Sequence, residues 1–307
     1  MANWVRFIHE NNCHFGNQNG DVIELYTGDM FSNPSKTSTT INVSEVEFLN
    51  PCVPSKMIAL WNNYKTLAEE KGLSKPNNPL YLNKAVSAII EPGQNIERPK
   101  FYDEAIFYEG ELGIVIGTEC KNVEKDSSKN YIFGYTCIND VTAMDLVKKD
   151  KSFDQWTRSK SFDTFSIFGP AIVSDIDPMN LQIQSRLNNV LVQDYNSDDM
   201  FFNVYEIVSF ISKDMTLYPG DLISTGAPVR TRERLYLHDG DTFTKYRDEV
   251  FAIYGQPFPI PNYDLAAKYM LCQLQIFAGG NGLTDKSKMY YNENYKAKFK
   301  TFTEKFQ

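Results

Sequence analysis

Apolar and polar positions alternate modestly over the first fifty residues, and turn pairs such as Asn19-Gly20 and Asn33-Pro34 interrupt them. Alternation at every second residue marks a half-buried strand, so residues 1–55 read as a small β-rich lead-in that packs on the main body. The pattern then changes. Met57, Leu60, Trp61, Tyr64, Leu67 and Ala68 recur at spacings of three and four, which predicts a helix over 56–72 with Gly72 as its stop. A proline-bounded loop follows at 76–79. Thr142 is placed to cap a short helix over 143–149. Runs at 181–187 and 190–195 flank Asn188-Asn189, a hairpin signal. Residues 202–211 carry Val204, Ile207, Val208 and Ile211 at helical spacing. Pro219-Gly220-Asp221 is a turn that leads into a buried strand over 222–225. Residues 266–277 read as a helix closed by Gly279-Gly280. The last twenty-odd residues mix Lys, Glu, Tyr and Phe, and their aromatic content favours a docking segment over a frayed tail.

The chemistry concentrates at Tyr108-Glu109-Gly110-Glu111-Leu112-Gly113-Ile114-Val115-Ile116-Gly117. In a strand, side chains two apart share a face, so Glu109 and Glu111 project side by side and repel. A third acid, Asp140, ends the segment Gly134-Tyr135-Thr136-Cys137-Ile138-Asn139-Asp140. A Glu-x-Glu at a strand start is by itself most often a solvated face. Three acids converging in an apolar setting instead suit a hard divalent cation such as Mg²⁺, which accepts a few carboxylates and keeps positions for water and substrate oxygens.

Further segments follow: Gln155-Trp156-Thr157-Arg158-Ser159-Lys160-Ser161-Phe162-Asp163, Gly169-Pro170, Ser197-Asp198-Asp199-Met200, and Met215 through Thr225-Gly226-Ala227-Pro228. In order and spacing the chain resembles the fumarylacetoacetate hydrolase family from about Lys56 to about Gly240, weakly before and not after. The resemblance implies an α+β, mostly β fold: a twisted β-roll with a few short helices, and commonly a homodimer. It divides the chain into residues 1–55, a catalytic unit over 56–260, and a C-terminal helix and tail over 261–307. It implies Glu109, Glu111 and Asp140 as ligands of Mg²⁺, Mn²⁺ or Ca²⁺, with Lys160 facing the pocket as a catalytic cation rather than pairing with Asp163. Arg158, Thr225, Gly226 and Arg230 are the expected contacts of a small keto-acid substrate. Family members break or rearrange bonds beside a 2-oxo group by hydrolysis, decarboxylation, isomerisation, hydration or dehydration, so the family sets a chemical theme and not one reaction.

The chain departs from the family pattern at informative places. Hydrolytic members carry a His and a Glu on a short mobile helix, in the pattern Asn-Tyr-x-x-His-x-x-Glu. Here the segment reads Asn63-Tyr64-Lys65-Thr66-Leu67-Ala68-Glu69-Glu70. Glu70 remains, as the best candidate base or acid, but Leu67 cannot accept a proton. It also fits the apolar face of the expected helix. None of His9, His14 and His238 lies in a family motif. Ala227 replaces a threonine that can bind a substrate carboxylate, and Met144 stands where relatives commonly have arginine. Lys84 suits the pocket and the surface equally. Decarboxylation, tautomerisation and dehydration need a stabilised enolate more than an activated water, so these lyase and isomerase reactions are favoured. The alternatives are C–C hydrolysis of acylpyruvate or fumarylacetoacetate type, and a non-catalytic protein that has kept the fold. The joint presence of Glu70, Glu109, Glu111, Asp140 and Lys160 weighs against the last.

Composition narrows the setting. The chain of 307 residues is 42% hydrophobic and carries a formal net charge of −8, with pI about 5.1. Such a surface disfavours nucleic acid and anionic membranes as partners. Five widely spaced cysteines, no Cys-x-x-Cys and no apolar leader point to a reduced, cytoplasmic setting. No apolar run approaches the roughly 18–20 residues needed to span a bilayer.

Overall fold

A computed structural model describes residues 2–187 and 190–228, together with the backbone of two later strands. The chain opens as a meander: β1 (Ala2–His9), β2 (Asn12–Asn19), β3 (Val22–Thr27) and β4 (Ser35–Asn42), followed by the short β5 (Glu47–Leu49). Next come β6 (Met57–Trp61), helix α1 (Lys65–Glu70), β7 (Leu80–Lys84) and β8 (Ile96–Glu97). The central hairpin is β9 (Gly110–Ile116) and β10 (Ile132–Asp140). Helix α2 (Trp156–Lys160) precedes β11 (Ser166–Phe168) and β12 (Ala171–Ser174). A second hairpin, β13 (Gln182–Leu187) and β14 (Val190–Asn196), leads to helix α3 (Val204–Asp214) and β15 (Leu222–Ser224). The late strands are β16 (Thr242–Lys245) and β17 (Cys272–Phe277).

The fold is mostly β, as the resemblance implies. One sheet runs β4-β3-β2-β1-β12-β10-β9-β15-β6-β7, with β11 also on β10 and β5 on β1. A second sheet runs β14-β13-β16-β17-β8. The N-terminal meander is continuous with the large sheet, because β1 pairs antiparallel with β12, Ala2 opposite Ser174. No helix among the described residues is long and apolar enough to cross a membrane.

Several local expectations hold. The 181–195 hairpin forms with Gln182 opposite Asn196, its turn residues Asn188 and Asn189 lying outside the described residues. Helix α3 buries Val204, Ile207, Val208 and Ile211. Its capping box joins Asn203 Oδ1 to the Glu206 amide at 3.0 Å and Glu206 Oε2 to the Asn203 amide at 2.9 Å.

Three expectations need correction. The helix over 56–72 is a strand, a turn and a short helix. Met57–Trp61 is nearly continuous in apolar character and lies inside the sheet, parallel to β15 and antiparallel to β7. A short apolar run cannot be assigned by period alone. Asn62, at φ 55°, ends the strand, and only Lys65–Glu70 is helical. The helix over 143–149 shrinks to a 3₁₀ turn at Met144–Leu146 that starts from Ala143 without a side-chain cap; Thr142 is engaged elsewhere. Within 266–277, Cys272–Phe277 is a strand paired with β16 and β8, so the helix expected there is wrong. Residues 266–271, Gly279-Gly280 and the tail lie outside the described residues.

Buried Asp221 sets the start of β6 against β15. Its Oδ1 accepts the amides of Ser55 and Lys56, both at 3.0 Å, and its Oδ2 pairs with Lys56 Nζ at 2.6 Å. Leu222 then falls opposite Met57. The core beside this seam joins Ile58, Leu60, Leu112, Ile114 and Ile223 to the inner face of α3.

Candidate active site

The hairpin β9–β10 assembles the acids. Ile138 lies opposite Glu111 and Asn139 opposite Gly110. The Asp140 amide donates to the Glu109 carbonyl at 2.8 Å. This register brings Glu109, Glu111 and Asp140 to one point, with a carboxylate oxygen of each within 4.8 Å of the others. Glu111 and Asp140 are buried and Glu109 is half-buried.

Two lysines meet them. Lys160, at the end of α2, donates to Glu109 Oε2 at 2.6 Å, Asp140 Oδ2 at 2.5 Å and Thr142 Oγ1 at 2.8 Å. Lys84, at the end of β7, has a fully buried side chain that pairs with Asp140 Oδ1 and donates to the Phe165 carbonyl at 2.9 Å. Burial opposes charge on Lys160, yet Asp140, Glu109 and Glu111 together raise its pKa above the ordinary lysine value. Burial lowers that of Lys84, against the pull of Asp140. Burial alone would raise Asp140, but Lys160 and Lys84 hold it below the usual carboxylate range. For Glu111, burial first, then Asp140 and Glu109, push it up to about 8, against the pull of Lys160.

A braced wall stands behind Glu111. Its Oε2 accepts from Ser224 Oγ and from the Gly226 amide, the latter at 2.8 Å. The Thr225 hydroxyl lies 3.0 Å from the Leu112 carbonyl and 3.1 Å from the Tyr64 hydroxyl. The contacts of Thr225 and Gly226, both expected to touch substrate, run to β9, Tyr64 and Glu111. Asn63 Nδ2 donates to the Thr225 carbonyl at 3.1 Å, so α1 springs directly from this wall.

The remaining expected site residues are placed differently. Leu67 packs, partly buried, against the main core. Glu70 is exposed at the last position of α1. Arg158 is exposed on α2, its Nη1 donating to Gln155 Oε1 at 3.0 Å. Arg230 lies outside the described residues. Sequence reasoning left Lys84 undecided and missed Ser224 and the role of Thr142. Pairing of β6 with β7, Met57 opposite Lys84, is what aims Lys84 inward; the helical reading of that stretch hid it.

The donor set fits a hard divalent cation. All three candidate donors are carboxylates, which suit oxygen-seeking ions. Three carboxylates face two lysines, an excess of one acid, and Glu111 is the one raised above the usual carboxylate range. A bound cation would balance it.

Comparison with known proteins agrees. Residues 56–249 match the family model described as fumarylacetoacetate (FAA) hydrolase C-terminal, and residues 3–51 match one described as Rv2993c-like, N-terminal. The second match extends the likeness into a region where the sequence motifs were weak. An uncharacterized protein of Methanocaldococcus jannaschii is 45% identical over 209 residues, 68% of this chain and 84% of its own length. A Xenopus laevis protein named oxaloacetate tautomerase fahd2, mitochondrial, is 36% identical over 218 residues, 68% of each chain. Among solved structures, 2-hydroxyhepta-2,4-diene-1,7-dioate isomerase from Mycobacterium marinum superposes with a TM-score of 0.71 at 32% identity, covering 80% of this chain and 93% of that one.

Proposed function

The chain belongs to the fumarylacetoacetate hydrolase family, and we propose that it is a divalent-metal-dependent tautomerase or isomerase of a small 2-oxo acid that works through an enolate. The observation that carries this reading is the pairing of three carboxylates and two buried lysines at one point with a leucine at the helix position where hydrolytic relatives place a histidine. Glu109, Glu111 and Asp140 would hold Mg²⁺ or Mn²⁺, which when bound supplies Lewis-acid stabilisation to the carboxylate and keto oxygens of a 2-oxo acid. The names of the Xenopus laevis and Mycobacterium marinum relatives support a keto–enol or double-bond rearrangement.

The chain's own residues divide the remaining work. Lys160, kept charged by three acids, sets a fixed positive charge where the enolate oxygen develops; such preorganised charge costs no reorganisation during reaction. Lys84 fixes Asp140 and completes its hydrogen bonding. Glu70 takes the proton from the carbon beside the keto group and a proton is delivered to the enolate oxygen, the reverse transfer forming the keto tautomer. No atom is gained or lost overall. Its exposed position at the end of α1 suits exchange with solvent. Leu67 offers no partner with which Glu70 could activate water, so C–C hydrolysis is disfavoured.

The test follows the enol form of oxaloacetate spectroscopically with the full-length protein and added Mg²⁺, and in parallel measures pyruvate release and acylpyruvate hydrolysis. Enol loss accelerated by wild type and not by Glu111→Gln supports the proposal. Pyruvate release as the main outcome moves the assignment to decarboxylation. Efficient acylpyruvate hydrolysis overturns the enolate-rearrangement reading.

A further inference from the structure

The ligand end of β9 is held differently from its middle. Along the middle, ladder pairing with β10 and β15 ties the strand. At Glu109-Gly110, side-chain bonds add to the backbone contacts with β10. The Glu109 amide donates to Asn139 Oδ1 at 3.0 Å. The Gly110 amide donates to Gln193 Oε1 at 2.8 Å, and the Tyr195 hydroxyl donates to the Gly110 carbonyl at 2.8 Å. Gln193 and Tyr195 stand two apart on β14, with Ser185 opposite Gln193 on β13. The hairpin lies so close that a Cβ built on Gly110 would sit 2.0 Å from Ser185 Oγ.

This arrangement costs stability. Asn139 Nδ2, Gln193 Nε2 and Ser185 Oγ are buried without a hydrogen-bond partner among the described residues. Burying a polar group without a partner is costly, so residues chosen for stability alone would not be two half-satisfied carboxamides. What each carboxamide does achieve is one bond to the backbone amides of Glu109 and Gly110. Gly110 has no Cβ and is the freest hinge a strand can contain. Rotation of its peptide units would swing Glu109 and Glu111 apart.

We propose that Gln193 and Tyr195 are positioning residues for the acid centre: they grip the amide and the carbonyl of Gly110 from the β13–β14 hairpin and so turn Glu109 and Glu111 toward a single divalent cation. The inference rests on the metal reading of the centre given above. It assigns to the second sheet a role in metal affinity, although none of its described residues is among the three acids.

The experiment titrates the full-length apoprotein with Mn²⁺ and reads free and bound ion by electron paramagnetic resonance, alongside thermal melts without metal. Gln193→Met and Tyr195→Phe are expected to weaken Mn²⁺ binding by about 10–100-fold, the range typical when the groups that orient metal ligands are removed. Their bound-Mn²⁺ spectra should also broaden as the ligand geometry loosens. Ser185→Ala, which removes a hydroxyl with no bond to the Glu109-Gly110 backbone, is expected to bind Mn²⁺ like wild type. Melts lowered in Gln193→Met and Tyr195→Phe with Mn²⁺ affinity and spectra unchanged would mark a structural brace only and overturn the inference. If Gln193→Met does not fold, Tyr195→Phe decides by the same readouts. Glu111→Ala separates the two readings. Loss of Mn²⁺ binding there, with intact binding in both positioning variants, removes this inference alone; wild type that binds no Mn²⁺ removes the metal reading and this inference together.

Discussion

The acid–lysine centre and helix α1 are built on opposite principles, although they adjoin the same wall. The centre hangs on sheet. Its acids come from the paired ends of β9 and β10, its lysines from the end of β7 and from α2, and Asp140 and both lysines are buried. Helix α1 has six residues, buries only Ala68, and has no side-chain cap from its own N-cap residue. Asp199, from the turn after β14, accepts the Thr66 amide at 3.1 Å in its place. Stabilising an enolate needs charges that stay fixed and dry, because preorganisation is what gives them their effect. Moving a proton to and from solvent needs a group that reaches water. On the proposed function the chain would separate the two demands, and Leu67, packed against the core, would leave water activation unprovided.

The comparison breaks most visibly if the centre proves dispensable. Asp140→Ala or Glu111→Gln removes a carboxylate from the set that would hold the cation. Turnover should fall by more than about 10³-fold, beyond the loss of a single oxyanion contact. Chelator treatment of wild type should reproduce the fall, and Mn²⁺ should restore wild type but not the variants. Initial rates with and without metal check this; near-normal rates in either variant contradict it.

The lysines come next and should differ from each other. Lys160→Met removes the charge beside the reacting oxygens and should lower turnover by about 10²–10³. Lys84→Met strips Asp140 of a fully buried partner. Breaking such a pair typically costs about 3–5 kcal/mol of stability, so its main effect should appear in denaturant unfolding. Equal stability losses in both variants, with equal rates, would erase the distinction between them.

How much of this was legible without coordinates follows from the kind of signal involved. Glu109 and Glu111 announce themselves because period-2 geometry puts them on one face. Asp140 and Lys160 came from motif order. Lys84 was illegible because Met57–Trp61 satisfies a helical and a buried-strand pattern equally, and only the β6–β7 pairing decides which way Lys84 points. Ser224, Gln193 and Tyr195 act from strands far along the chain, through bonds to Glu111 and to a glycine backbone. No local period encodes such a bond. Thr225 and Gly226 were expected from motif order as substrate contacts, and their observed contacts run to β9, Tyr64 and Glu111.

Smaller effects belong to α1. Glu70→Gln should lower turnover by about 10²-fold, at the lower end of general acid–base contributions, and leave Mn²⁺ affinity unchanged, since Glu70 is not a ligand. A parallel loss of Mn²⁺ binding would place Glu70 inside the centre and collapse the division of labour. Asp199→Ala removes the carboxylate that accepts the Thr66 amide. Loss of a helix cap costs about 1 kcal/mol. The loss should appear as faster hydrogen exchange over 65–70, with exchange in β9 and β10 unaltered.

The smallest expected effect is the most discriminating. Leu67→His puts an imidazole on α1, three residues before Glu70, where hydrolytic relatives carry the His–Glu pair. Leu67 is partly buried against the core, so the substitution exchanges apolar contact for a polar ring at a cost of about 1 kcal/mol. If the rate problem of this protein is enolate stabilisation, water activation adds nothing to it. Keto–enol turnover should then change only modestly, and acylpyruvate hydrolysis should stay near background. If the chain is a hydrolase that has lost one half of its base, the new imidazole beside Glu70 should raise acylpyruvate hydrolysis by about 10²–10⁴. Wild type and Leu67→His assayed on both substrates at saturating Mg²⁺ across neutral pH separate the cases. A large hydrolytic gain would show that the fixed centre serves hydrolysis equally well and that α1 alone chooses the reaction. Its absence would show that the chain's chemistry is settled in the sheet.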